Sequence, residues 1–315
     1  MFTRTKEIRI ETSTICNYNC RMCARKSFAR KKQVMGNDLF DTLVEKTRTE
    51  LSHIEIVTLS GFGEFSLDPA WKYKVAAGSK NFQKVHIVTN AAMLSQSDFY
   101  FLLDHAADIR ISLYALDEET YRNIHNPPAH VQFTVIQKNI EYAMRVKKKD
   151  QRIILNYLEI AANEHATKDW INYWKKRVDL IEVWQPHNWI NAQRYRSLDK
   201  QRLTTCGRPF NGPIQVQVDG TVNVCCFDYN GEMLIGDLRT QSFHEIFHGR
   251  EMEHVQACHQ SGRADHLPLC AQCDQRNQDE SKARHMIYNS KYDRMKRITT
   301  TSTEYDKLVS KQGER

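Results

Sequence analysis

Three cysteines, Cys16, Cys20 and Cys23, stand in the run Cys-Asn-Tyr-Asn-Cys-Arg-Met-Cys. This CxxxCxxC spacing puts three thiolates on one short loop, close enough to hold three corners of a 4Fe–4S cube. Electron-transfer clusters are usually closed by four cysteines. No fourth lies nearby, so the loop would leave one iron open to an exogenous ligand. Zinc loops favour paired spacings with a second pair downstream, which a lone triplet fits poorly.

Cys206, Cys225, Cys270 and Cys273 form a second set: a single thiol, one placed five residues after Gly220, a long gap, then C-x₂-C. Four thiolates suffice for one closed 4Fe–4S cluster and equally for a tetrahedral zinc ribbon, so the residues alone leave both open. His244, His248, His254, His259 and His266 crowd this region and could complete a zinc site; the preferred reading is surface or helix-end groups. Cys226 neighbours Cys225 on a strand-like run, so its side chain is expected on the opposite face. Structural burial is its first reading, and Cys258 lies in a helix-like run.

Elements able to hold these groups alternate along the first 190 residues. Strand-like runs at Glu7–Glu11, His53–Leu59, Lys84–Thr89, Asp108–Leu113, Ile153–Ile160 and Leu180–Trp184 are separated by amphipathic stretches, the pattern of a parallel α/β sheet. The clearest helix is Val131–Lys149, where Val135, Ile136, Ile140, Ala143 and Met144 recur at helical spacing. Ligands in such folds collect at the C-terminal ends of strands. The cysteine loop follows the first strand, Gly61-Phe62-Gly63-Glu64 the second, Thr89-Asn90 ends the third and Ser112 the fourth. Glycines at such a place let backbone approach a ligand closely. From about Arg196 the alternation stops. Ile214–Val218, Asp219-Gly220 and Thr221–Cys225 read as a hairpin, and Ser242–His248 as a short helix capped by Ser242, with Glu245 three residues on. Beyond Asp274 the chain reads as a basic helix running into a frayed end, Thr299–Arg315.

The 315-residue chain has an odd count of nine cysteines, no run of eighteen apolar residues and no signal peptide in MFTRTKEIRI. A cytoplasmic location without a membrane partner is expected, where clustered thiols mean metal or redox chemistry. The net charge of +7 is mild, yet Arg21, Arg25, Lys26, Arg30, Lys31 and Lys32 cluster after the cysteine loop, and Arg294, Lys296 and Arg297 make a second basic region. Solvated surface charge is the preferred reading, and a rim steering an anionic substrate the alternative. No RNA-recognition or helix-turn-helix signature accompanies them, which disfavours a nucleic-acid partner.

CxxxCxxC directly after a strand resembles the radical S-adenosylmethionine (SAM) superfamily. The runs Gly220-Thr-Val-Asn-Val-Cys225-Cys226, Ile235-Gly236-Asp237-Leu238 and Leu269-Cys270-Ala-Gln-Cys273-Asp274 resemble its auxiliary-cluster extension, called SPASM, in the shorter twitch form because no cysteine follows Cys273. The resemblance implies an α/β fold with a partial (β/α)₆ TIM-type barrel over 1–195, a SPASM/twitch-type auxiliary 4Fe–4S domain over 196–274, and the basic helical tail over 275–315. It implies two 4Fe–4S clusters. Cys16, Cys20 and Cys23 would hold the one that chelates SAM; Cys206, Cys225, Cys270 and Cys273 would hold the auxiliary one, now favoured over zinc. Gly61, Gly63 and Glu64 resemble a GGE-type motif that binds the SAM ammonium, with Phe62 departing from the paired glycines and Phe65 where proline is common. Asn90 and Ser112 would hydrogen-bond SAM carboxylate or ribose, and Met22 would pack near adenine.

In that family, reduction of the cluster cleaves SAM to methionine and a 5′-deoxyadenosyl radical, which abstracts a substrate hydrogen. The spacing of the auxiliary ligands resembles that of aminocyclitol alcohol dehydrogenases. The expected reaction is therefore oxidation or epimerisation of a carbinol carbon of a sugar or aminocyclitol, with Cys226 as hydrogen-atom donor in the epimerase case. A peptide-modifying (RiPP) maturase or peptide epimerase is the alternative. Such enzymes often carry a leader-binding segment of about eighty residues, for which a first strand at Glu7 leaves no room. A zinc-bearing nucleic-acid binder ranks third. The expected partners are a small-molecule or peptide substrate and an electron donor such as flavodoxin or ferredoxin. Trp189, after the sixth strand, is read as a structural tryptophan.

Overall fold

The computed structural model describes residues 5–198 and 201–278, and the backbone of two further strands at Arg284–Asn289 and Arg294–Thr299. Along the chain, strands β1 (Glu7–Ile10), β2 (Ile56–Leu59), β3 (Lys84–Thr89), β4 (Asp108–Ser112), β5 (Arg152–Leu158) and β6 (Leu180–Trp184) alternate with helices. These are α1 (Asn37–Glu50), α2 (Trp71–Asn81), α3 (Gln96–His105), α4 (Glu118–His125), α5 (Phe133–Val146) and α6 (Thr167–Trp174). Each strand falls at a predicted run, and the β–α repeat is that of the predicted α/β class. The chain forms two compact units, one of Met1–Ile15, Ala24–Val85 and His187–Ser281, the other of Cys16–Cys23, His86–Pro186 and Lys282–Arg315.

In the first unit, β1 pairs in parallel with β2, from Glu7↔Ile56 to Ile10↔Leu59. On its other edge β1 pairs in parallel with β7 (Ile214–Val216), so the predicted hairpin extends the sheet of the first strand. Gly220, at φ 89, supplies the left-handed turn position that other residues adopt only with strain. β8 (Thr221–Asn223) then runs back antiparallel, followed by β9 (Leu234–Asp237). Helices α7 (Arg208–Asn211), α8 (Phe243–Phe247), α9 (Arg250–Gln260) and α10 (Pro268–Ala271) complete this part. Ser242 and Glu245 form the reciprocal capping box expected of α8, satisfying two otherwise orphaned amides. Cys258 on α9 is buried against Val255 and Leu267, so its thiol is a core group.

In the second unit, β3 from His86 onward, β4, β5 and β6 are parallel neighbours. β6 is buried over Leu180–Val183, as expected for a parallel strand covered on both faces. The amphipathic pattern of α5 buries Phe133, Ile136, Ile140 and Ala143. Charges lie between the strands: Asp108 receives Arg152 Nε at 2.7 Å, and Arg110 reaches Glu182 at 2.6 Å. Burial alone would raise the Asp108 pKa, but His86, Arg152 and Arg110 outweigh it and hold the carboxyl at about 2.

The segment beyond Asp274, expected to be helical, instead contains β10 (Arg284–Asn289), antiparallel to β6, and β11 (Arg294–Thr299), antiparallel to β10. Ile287, Tyr288, Ile298 and Thr299 favour a pleated neighbour once one is offered. The predicted frayed end beyond Thr299 lies outside the described residues. No helix among the described residues is long and apolar enough to cross a membrane.

Candidate functional site

The CxxxCxxC loop is fixed by its own backbone and by the end of α4. Cys23 N donates to Cys20 O at 3.2 Å, Arg21 N to Ile124 O at 2.9 Å, and Tyr18 N to Cys16 Sγ at 3.5 Å. His125, which motif reasoning missed, is 1% exposed and places Nδ1 3.6 Å from Cys20 Sγ. The Tyr114 amide donates to its Nε2 at 3.0 Å, which leaves the imidazole proton on Nδ1, aimed at the sulfur. Burial lowers the His125 pKa to about 3, so the ring is neutral. Tyr114 stacks on it at 4.7 Å, and Tyr18 meets it edge-on at 5.7 Å. Asn90 Nδ2 donates to Asn17 Oδ1 within the loop at 2.8 Å. Ser112 pairs with the Tyr114 phenol. Met22 is buried.

Gly61 and Gly63 do make room, but for the chain itself. A Cβ on Gly61 would lie 2.2 Å from Glu11 Cγ, and one on Gly63 would lie 2.2 Å from the Ser13 carbonyl oxygen. Glu11 accepts the Phe62 amide at 2.8 Å and both Arg30 nitrogens at 2.7 and 2.9 Å. Arg25 donates to Phe62 O at 2.9 Å. Two of the basic residues expected at the surface therefore brace this turn. Glu64 is 3% exposed, and its carboxylate accepts Ser66 Oγ at 2.8 Å.

Cys206, Cys225, Cys270 and Cys273 all line one cavity, with Arg208, Phe227, His259 and Arg276 among its other walls. This donor set fits an iron–sulfur cluster. Among the described residues, no three His, Cys, Asp or Glu groups stand at single-ion spacing. Burial pushes the Cys270 and Cys273 thiols up to about 12, so taking metal would displace protons from them. Arg202 Nη2 donates to Cys270 O at 2.7 Å and to Cys273 O at 2.9 Å, holding the C-x₂-C turn. His259 is not at the surface as expected: it is 0% exposed, with Nε2 3.5 Å from Cys270 Sγ. Cys226 also departs from expectation. β8 ends at Asn223, so strand alternation no longer separates Cys225 from Cys226. Their side chains hydrogen-bond each other, and Arg208 Nη1 lies 3.3 Å from Cys226 Sγ.

Aromatic rings form a wall in the same unit. Phe62 stacks on Phe28 with centroids 5.4 Å apart, and meets Trp189 and Tyr229 at 5.1 Å each. Trp189, expected to be a buried structural residue, is only half-buried. Trp189 and Ile190 adopt φ values of 47 and 65, a left-handed pair that costs about 1–3 kcal/mol per residue. Asn188 holds them there: its Oδ1 accepts Tyr195 and Arg196 amides at 2.8 Å, and its own amide donates to Asp274 at 3.2 Å.

The sequence profile of the radical SAM superfamily matches residues 10–163, and that of SPASM, an iron–sulfur cluster-binding domain, matches 206–274. No curated protein matches significantly. Among solved structures, the chain is similar to BtrN in complex with AdoMet and 2-DOIA, at 16% identity, over 86% of this chain and 93% of that one, with a TM-score of 0.59. It is similar to anSMEcpe with bound AdoMet at 13% identity, over 96% of each chain, with a TM-score of 0.66. It also resembles Streptococcus suis SuiB bound to precursor peptide SuiA, at 12% identity, over 79% of this chain and 66% of that one, with a TM-score of 0.63. At these identities the likeness is one of fold, in the α/β class.

Proposed function

The chain belongs to the radical SAM superfamily and carries its SPASM auxiliary-cluster domain, and from that premise we propose that it oxidises or epimerises a carbinol carbon of a sugar or aminocyclitol. The single cavity bearing Cys206, Cys225, Cys270 and Cys273 carries this reading, because a cluster there offers a place for the second electron of a two-electron oxidation. When bound, the two 4Fe–4S clusters and SAM supply a 5′-deoxyadenosyl radical for hydrogen abstraction and an acceptor for that electron.

Cys16, Cys20 and Cys23 are assigned to the SAM-binding cluster, with His125 donating to Cys20 Sγ. Gly61, Gly63 and Glu64 are assigned to the SAM ammonium, and Asn90 and Ser112 to its carboxylate or ribose. The wall of Phe28, Phe62, Trp189 and Tyr229 suits the C–H face of a saturated ring, and a few polar groups would fix its orientation. Cys226, against Cys225 and Arg208, is assigned to holding that pair. A donor role would instead show as oxidised product accumulating in Cys226→Ala. Electrons would come from a flavodoxin or ferredoxin.

The peptide reading stays as the second one, because anSMEcpe covers 96% of this chain and is also known with bound Cp18Cys peptide. The two separate on substrate. Reconstituted protein, SAM and dithionite are incubated with ring-deuterated sugars and aminocyclitols, and in parallel with Cα- or Cβ-deuterated peptides. Deuterium in 5′-deoxyadenosine from a cyclitol or sugar supports the first reading; transfer from peptides alone replaces it with the second.

A further inference from the structure

Arg208 differs from the other arginines around the auxiliary thiols in what balances its charge. Arg202 and Arg276 share Asp265, at 3.3 and 2.7 Å, and Arg196 faces Asp274 at 3.4 Å. Arg208 has no carboxylate partner among the described residues. Its contacts are Cys226 Sγ at 3.3 Å and the Phe227 ring, 4.8 Å from the guanidinium carbon. It lines the same cavity as Cys206, Cys225, Cys270 and Cys273. Those sulfurs therefore face a permanent cation across a shared cavity.

We propose that Arg208 sets the reduction potential of the auxiliary cluster, raising it so that the cluster accepts an electron more readily. This rests on the reading of the four thiols as cluster ligands. Reduction adds one negative charge to the cluster, and a fixed neighbouring cation stabilises the reduced form more than the oxidised form. Cys226 and Phe227 are the residues that aim the guanidinium. Arg208 acts through the cluster and is a positioning residue for charge.

The test uses the full-length chain carrying Cys16→Ala, Cys20→Ala and Cys23→Ala, reconstituted anaerobically so that only the auxiliary site can hold iron. Iron content and an EPR-monitored potentiometric titration are read for Arg208, Arg208→Lys and Arg208→Met. The Met variant should reduce at a lower potential, by at least a tenfold change in equilibrium, about 59 mV for one electron; the Lys variant should stay near the parent. Equal midpoints for Arg and Met, or a Lys variant that titrates like Met, overturn the proposal. If Met holds no iron, a Lys variant with four irons and the parental midpoint supports it. Loss of iron from both variants overturns it, because Arg208 would then build the site. A parent that binds no iron brings down the four-thiol reading instead.

Discussion

His125 and Cys20 form an N–H···S contact of 3.6 Å whose direction is settled from the far side of the ring, where Nε2 accepts the Tyr114 amide. Residues outside a metal's ligand set commonly govern its affinity and reactivity about tenfold or more. His125→Phe, which keeps the ring and removes the donor, should slow reductive SAM cleavage by about tenfold while most of the iron is retained. Rates of 5′-deoxyadenosine formation beside iron assays check this; an unchanged rate removes His125 from the cluster's surroundings.

Replacement of Cys16, Cys20 and Cys23 by Ala should lower the iron content from about eight to about four per chain. SAM cleavage should disappear. Persistent 5′-deoxyadenosine in the triple variant would show that the radical arises elsewhere.

Gly61→Ala and Gly63→Ala should differ in severity. The Gly61 neighbours are Glu11 Cγ and Cβ, 2.2 and 2.6 Å from a new Cβ, so relief displaces the stem of Glu11 and its Arg30 pairing. The Gly63 neighbours are the carbonyl oxygens of Ser13 and Ile15, 2.2 and 2.6 Å from a new Cβ. Backbone cannot yield in the same way. Gly63→Ala should cost about 3 kcal/mol and Gly61→Ala about 2, read as chemical denaturation midpoints. Equal losses would mean that the turn is pliant.

Asp108 sits below its unfolded pKa of 3.8, at about 2. Its stabilisation is thus complete above roughly pH 4 and fades as pH falls toward 2, amounting to about 2 kcal/mol. Asp108→Asn should lose about that much at pH 7 or more, since Arg152 and Arg110 are left facing a neutral group. The gap from the parent should narrow as the medium is acidified through that window. A gap independent of pH would place the stabilisation in packing.

Strand-like runs between amphipathic stretches mark β1 to β6 in the sequence, and Ser242 with Glu245 marks the cap of α8, because these features depend on neighbours in the chain. Both thiol sets stand out in the sequence as spacings of one residue type. The contacts of His125, Arg202, Arg208 and His259 with the cysteine segments are not legible there, because each depends on segments apart in sequence or on burial that no local pattern marks. The pairing of β7 with β1 joins residues some two hundred positions apart. In the sequence Phe62 is a departure from a glycine motif; in the fold it stacks on Phe28 and meets Trp189 and Tyr229 at an angle. Gly61 and Gly63 mark a close-approach turn in the sequence, but not that Glu11 and the Ser13–Ile15 backbone fill the space their side chains would take.

The tie from Asn188 to Asp274 joins the Trp189 turn to the residue that directly follows Cys273. Anything that firms up the Cys270–Cys273 turn therefore also steadies the indole. Filling the four-thiol cavity would then also order the ring cluster around Trp189, so that loading and local rigidity come together.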